Sequence, residues 1–130
     1  MGPVNWLAVI LAAMLALVVG MVWYGARFRF IHPAVRSELR QRDRLIFSAI
    51  AALLGSAMLG HNYARIGAET LAAKPWLYFM QSGGLALFFV IPAVWMTCYR
   101  LGTARRVQIG ECVFYLIAYL CMGAVFWALG

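Results

Sequence analysis

The sequence predicts an all-α, polytopic membrane protein with four transmembrane helices in an antiparallel bundle. Hydrophobic residues make up 65% of the 130 residues and charged residues only 12%, a balance far from that of a soluble domain. Four apolar stretches each approach the roughly 20 residues that a helix needs to cross hydrocarbon. They cover residues 5–24, 45–63, 76–99 and 107–129. We therefore expect residues 1–130 to form a single transmembrane domain with one basic loop, residues 25–44.

The first stretch is expected to be a retained helix and not a secretion signal, because its basic residues follow it. Trp6 and Trp23 lie seventeen residues apart, or about 26 Å along a helix, which suits two anchors at opposite membrane interfaces. Small residues recur at every fourth position and form one face of this helix. They are Ala8, Ala12, Ala16 and Gly20.

The loop after helix one is rich in arginine. It contains Arg27, Arg29, Arg36, Arg40, Arg42 and Arg44. These side chains are expected to attract anionic lipid headgroups or an acidic partner subunit. The alternative is that they only hold the loop on the cytoplasmic side of the membrane. Nucleic-acid binding is not predicted, since this charge asymmetry already accounts for the net charge of +7.

Helix two carries a matching face of small residues. They are Ser48, Ala52, Ser56 and Gly60. The faces of helices one and two are predicted to pack against each other, and a homodimer seam is the alternative. The hydroxyls of Ser48 and Ser56 can also bond to the carbonyl four residues earlier, so they need no partner across the interface.

Helix three contains Pro92, which lacks an N–H and should free the carbonyl of Phe88 in a kink. We expect Phe88 to face protein, where the freed group can be satisfied. Gln81 should also point inward and make an interhelical hydrogen bond, because an unpaired amide is costly in hydrocarbon. The alternative for Gln81 is a small polar cavity. That cavity would be lined by His61, Asn62, Gln81, Ser82, Tyr115 and Tyr119.

Helix four carries Glu111, the one acidic residue near a membrane segment. Its position in the first turns suits the helix dipole, and Arg105 or Arg106 is within reach, so a structural role is favoured over transport. Cys98, Cys112 and Cys121 are expected to be free thiols, because their odd number and cytoplasmic side disfavour a disulfide.

The basic residues define the predicted orientation. The first and third loops together hold nine arginines, whereas the second loop holds only Arg65 and Lys74. Positively charged short loops are retained in the cytoplasm, so both termini are predicted to be periplasmic.

No metal site and no enzyme activity are predicted. His61 is the one histidine in a helix, and metal sites in helical bundles take paired ligands from facing helices. Nucleophile elbows, phosphate-binding loops and zinc spacings are missing from the sequence. No cofactor is predicted, but bound lipid is expected, and contact of His61 with a pigment or quinone in a larger assembly stays open.

The chain resembles a family of small bacterial membrane proteins of unknown function. The resemblance rests on Asn5-Trp6-Leu7-Ala8-Val9 at the start and on Trp23-Tyr24-Gly25 at the exit of the first helix. The last helix is similar as well, from Tyr115 through Leu120 and at Met122-Gly123-Ala124. The resemblance implies four helices in a bacterial inner membrane and assigns no activity.

Two functional classes are compatible with these features. The first is a non-catalytic accessory or structural subunit of a larger inner-membrane complex, with respiratory or photosynthetic assemblies as candidate hosts. The alternative is a small transporter or channel that must oligomerise to enclose a path. Convergence of the six polar residues on one water-accessible cavity would favour the transporter, and their dispersal would favour the subunit.

Overall fold

A computed structural model describes residues 2–25 and 41–130 of the protein. Its helices are α1 (Trp6–Trp23), α2 (Gln41–Ile66), α3 (Ala68–Ala73), α4 (Trp76–Leu85), a π-helix (Ala86–Val90), α5 (Ile91–Arg100) and α6 (Arg105–Leu129). Because α4, the π-helix and α5 are continuous, these residues form four helices that are long and apolar enough to cross a membrane. The predicted all-helical membrane architecture is confirmed at this level.

Hydrogen bonds at both ends of helix α1 define where it begins and ends. The side chain of Asn5 accepts a hydrogen bond from the N–H of Ala8 at 3.1 Å and so caps the helix N-terminus. At the other end, the N–H of Tyr24 donates to the carbonyl of Gly20 at 2.9 Å. These bonds satisfy groups that a helix end otherwise leaves unpaired.

Helix α2 is longer than the apolar stretch that predicts it. It begins at Gln41 instead of residue 45, so Arg42 and Arg44 belong to a helix and not to the basic loop. Asp43 in its first turn and Arg65 in its last turn both suit the helix dipole, which helps polar sequence extend the helix beyond the apolar core. Arg27, Arg29, Arg36 and Arg40 lie outside the described residues.

The connection after α2 contains a short helix that hydropathy does not reveal. Gly67 has a φ of +90°, a conformation that favours glycine, and it ends α2. Helix α3 follows at once, and its Leu71 is buried against the other helices.

The predicted kink at Pro92 takes the form of a π-helical turn. The N–H of Ile91 bonds to the carbonyl of Ala86, five residues earlier, directly before the proline that lacks an N–H. The prediction that Phe88 faces protein is wrong, because its side chain is 76% exposed. A wider turn changes the direction of the side chains along the helix, which a regular helical pattern does not anticipate.

Helix α1 packs between α2 and α6, and its buried face consists mainly of alanine. Ala8, Ala12 and Ala16 are buried there. The start of α1 lies beside the ends of both neighbours. The N–H of Gly2 donates to the carbonyl of Ala64 at 3.1 Å, and Asn5 Nδ2 donates to the carbonyl of Leu129 at 3.1 Å.

The small residues of α2 divide between a contact with α1 and an exposed surface. Ser56 is fully buried and its hydroxyl donates to the carbonyl of Val9 at 2.7 Å. The hydroxyl needs no partner across the interface, but it has one, because α1 comes close enough to accept the bond. A Cβ on Gly60 would lie 2.8 Å from Val9, whereas Ser48 is exposed and Ala52 is half-buried.

Gly20, the last small residue of the α1 face, lies against α6. A Cβ on Gly20 would stand 3.6 Å from the ring of Phe114. That ring also packs edge-on against Tyr24, with ring centroids 5.1 Å apart. The N-terminal part of α1 thus contacts α2, as at Val9. Near the C-terminal end of α1, Gly20 contacts an aromatic cluster of α6.

Candidate functional site

The structure separates the six residues proposed for a polar cavity. Asn62 and Gln81 lie together in one groove, and Tyr115 lies in a second groove between other helices. Ser82 is buried and its hydroxyl donates to the carbonyl of Tyr78 at 3.0 Å. His61 is exposed, and Tyr119 lies in neither groove.

Tyr119 instead packs where α2 approaches α6. A Cβ on Gly55 would stand 2.8 Å from the hydroxyl oxygen of Tyr119, so glycine makes room for that side chain. At Gly55, α2 therefore contacts α6, and this contact is separate from the contact of Ser56 with α1.

The first groove, called the amide groove, lies between α2 and the helix formed by α4 and the π-helix. Its volume is about 470 Å³. It is lined by Met58, Asn62, Met80, Gln81, Gly84, Leu85, Phe88 and Phe89. None of these side chains is charged, and the two amides are its polar groups. The predicted inward hydrogen bond of Gln81 is not found within residues 2–25 and 41–130, because Gln81 is half-buried at an open groove.

Between the amide groove and the second loop, two tyrosines join α2 and α4. The hydroxyl of Tyr63 donates to the carbonyl of Tyr78 at 2.7 Å, and the two rings have centroids 4.9 Å apart. Phe126 of α6 packs on Tyr63 from the other side, with ring centroids 5.0 Å apart. This buried cluster fixes the end of α2 against α4 and α6.

The second groove, called the acid groove, lies between α5 and α6 and measures about 430 Å³. It is lined by Ala93, Val94, Thr97, Cys98, Thr103, Val107, Glu111 and Tyr115. The hydroxyl of Tyr24 donates to Oε2 of Glu111 at 2.6 Å, a short bond as expected for a carboxylate acceptor.

The sequence matches the family described as "Protein of unknown function (DUF1761)" over residues 7–127. The chain belongs to this family. Comparisons with curated proteins and with solved structures found no match. The family expected from the Asn-Trp opening and the Trp-Tyr-Gly exit is thereby confirmed, and its description assigns no activity to the DUF1761 chain.

The structure of the DUF1761 chain contains two contacts that were not predicted from its sequence. Glu111 accepts a hydrogen bond from Tyr24, a contact that the sequence did not predict. Both residues lie at the membrane end predicted to be cytoplasmic, but a separation of 87 positions gives no pairing signal. Tyr63 and Tyr78 flank the second loop, and their hydrogen bond was not predicted from the sequence either.

Metal-ligating and basic side chains form no described site. No group of three or more His, Cys, Asp or Glu residues that could hold a metal ion occurs within the described ranges. Cys98, Cys112 and Cys121 are free thiols and half-buried. Arg42 and Arg44 are exposed at the start of α2.

Proposed function

We propose that this DUF1761 protein is a non-catalytic accessory or structural subunit of a larger bacterial inner-membrane complex. Its four spans would form an antiparallel bundle with both termini periplasmic, and its arginines would contact anionic lipid or a partner subunit. A bioenergetic assembly, respiratory or photosynthetic, is the class of host we propose.

The dispersal of the polar side chains supports this proposal. A solute path needs polar groups that follow one another through the membrane. Here Asn62 and Gln81 lie between α2 and α4, Tyr115 lies between α5 and α6, and Ser82 is hydrogen-bonded inside the protein. Such a distribution suits a protein that packs by its surfaces.

The exposed surface of α2 that includes Phe47 and Leu54 is the proposed partner surface. Span two is the least buried of the four spans, and its exposed side chains are large and apolar. Leu54 is 66% exposed, and Phe47 is 63% exposed. A partner helix packed on this surface would gain van der Waals contact that a fluid acyl chain supplies less completely.

Native purification tests the proposal. The tagged chain, produced at its natural level, is extracted from its source membrane in mild detergent and analysed by native mass spectrometry. We expect recovery at fixed stoichiometry with a defined larger complex. The Leu54→Trp variant should lose that partner, whereas the control Leu7→Trp, at a comparably exposed position of α1, should retain it.

Reproducible recovery as a homo-oligomer without other subunits would contradict the subunit proposal. In that case, the transporter alternative becomes the one to test, by solute flux into vesicles that contain the purified chain. Gln81→Leu and His61→Leu are the variants for that assay.

A further inference from the structure

Asn62 and Gln81 are half-buried amides that line the amide groove. Ser56, Ser82 and Tyr63 each donate a hydrogen bond to a backbone carbonyl. Asn62 and Gln81 make no side-chain hydrogen bond within the described part of the chain, although each is half-buried. Since each amide offers two donors and an acceptor, hydrocarbon alone is a poor environment for the pair.

The two amides lie at the same depth, near one end of the amide groove. Asn62 is four residues before the end of α2, or about 6 Å along the helix, and Gln81 is five residues after Trp76, or about 7.5 Å. Phe89, at the other end of the groove, is about 20 Å from Trp76 along the helix. The groove thus reaches from near the membrane interface to beyond the middle of the hydrocarbon.

Gly84 leaves the groove open on the side of the amides that faces away from the second loop. A Cβ on Gly84 would meet no atom within 4 Å, in contrast to the tightly packed Gly123 of α6. Phe88 and Phe89 line the groove beyond Gly84. Met58 and Met80 also line it, and their flexible side chains adapt to an apolar occupant. This part of the groove suits a hydrocarbon chain.

The size and the lining of the groove suit a small molecule. The amide groove measures about 470 Å³, which lies in the range of small-molecule sites. Its lining is uncharged, so it offers no counter-ion to a charged head.

We propose that the amide groove binds one lipid-like molecule with a single flexible hydrocarbon chain and an uncharged, hydrogen-bonding head. The head bonds to Asn62 and Gln81, and the chain passes Gly84 toward Phe88 and Phe89. This site does not depend on the proposed subunit role, since all of its residues belong to one copy of the chain.

Photolabelling of the purified full chain in phosphatidylcholine nanodiscs tests the site. The probe is a monoacylglycerol that carries a diazirine in the middle of its acyl chain, and labelled residues are mapped by peptide mass spectrometry. We expect label concentrated on residues 84–89, competed by unlabelled monoolein. The same chain with a carboxylate or quaternary ammonium head should label these residues about tenfold less, the effect of losing one or two hydrogen bonds.

Two variants separate the head from the chain. Asn62→Leu combined with Gln81→Leu should raise the probe concentration for half-maximal labelling about tenfold. Gly84→Leu should abolish groove labelling by filling open space, and its thermal unfolding should match the parent. Ala93→Leu fills the acid groove by a similar volume and is the matched control that should leave the labelling unchanged.

Three results would overturn the proposal. The first is label that follows membrane depth alone, with equal yield on residues 84–89 and 93–98. The second is groove labelling that persists in the folded Gly84→Leu protein. The third is efficient disulfide cross-linking of two copies through Gly84→Cys that displaces the probe, which would assign the groove to a second copy of the chain.

Discussion

At the scale of single residues, Ser56 and Ser48 have identical side chains on one face of α2 but differ in burial and hydrogen bonding. Ser56 is buried and bonds to the carbonyl of Val9 on α1, whereas Ser48, two turns earlier, is exposed. In a membrane, an interhelical hydrogen bond of this kind contributes about 0.6 kcal/mol on average and up to about 1.7 kcal/mol. The sequence alone gives both serines the same expected role.

Replacing Ser56 by alanine should therefore lower the free energy of unfolding by about 0.5–1.5 kcal/mol, through loss of the bond to Val9. The matched variant Ser48→Ala should change it by less than about 0.5 kcal/mol, as is usual at exposed positions. Unfolding of the purified protein by increasing SDS in mixed micelles measures both values. Equal losses for the two variants would contradict the assigned bond.

At the scale of helices, α4 and α6 are fitted together by a glycine. A Cβ on Gly123 would collide with the hydroxyl oxygen of Ser82 and would lie 3.1 Å from the carbonyl oxygen of Tyr78. The carbonyl oxygen belongs to the backbone, so it cannot rotate away as a flexible side chain can. The absence of a side chain at Gly123 therefore sets how closely the two helices approach.

Gly123→Ala should lower the free energy of unfolding by about 1–3 kcal/mol, the usual cost of overpacking. Gly84→Ala, where a Cβ meets open space, should be neutral or stabilise the helix by up to about 1 kcal/mol. The same SDS titration compares the two proteins. A loss at Gly84 equal to that at Gly123 would show that general helix effects, and not the Ser82 contact, control the result.

The extent of each span follows from sequence, but the partner of each helix face does not. Apolar length determines which segments cross hydrocarbon, and all four spans are found close to the predicted positions. The face with Ala8 and Gly20 was expected to pack on α2, yet its last residue, Gly20, meets Phe114 of α6. Helices in lipid associate by steric fit and hydrogen bonds, which hydropathy does not encode.

The grooves were equally hard to predict from sequence. Asn62, Gln81, Tyr115 and Tyr119 were grouped because they are polar side chains in predicted membrane helices. The structure brings the two amides together, whereas Tyr115 lines the acid groove and Tyr119 packs against Gly55. Residue type identifies candidates, whereas the rotation of each helix decides which of them meet.

At the scale of the whole molecule, the orientation in the membrane remains a prediction from charge. We expect Glu69 in the second loop to face the periplasm and Ala104 in the third loop to face the cytoplasm. In a cysteine-free background, a membrane-impermeant maleimide added to intact cells should label Glu69→Cys but label Ala104→Cys only after permeabilisation. The reverse pattern would show that both termini lie in the cytoplasm.

The hydrogen bond from Asn5 to the carbonyl of Leu129 has a consequence for biosynthesis. The same Asn5 side chain caps α1 through its oxygen, so one amide serves the start of the first span and the end of the last. During translation, its N–H group has no access to that carbonyl until residue 129 has been synthesised. Assembly of the four spans must therefore be completed after insertion of the last one, whatever order the earlier helices follow.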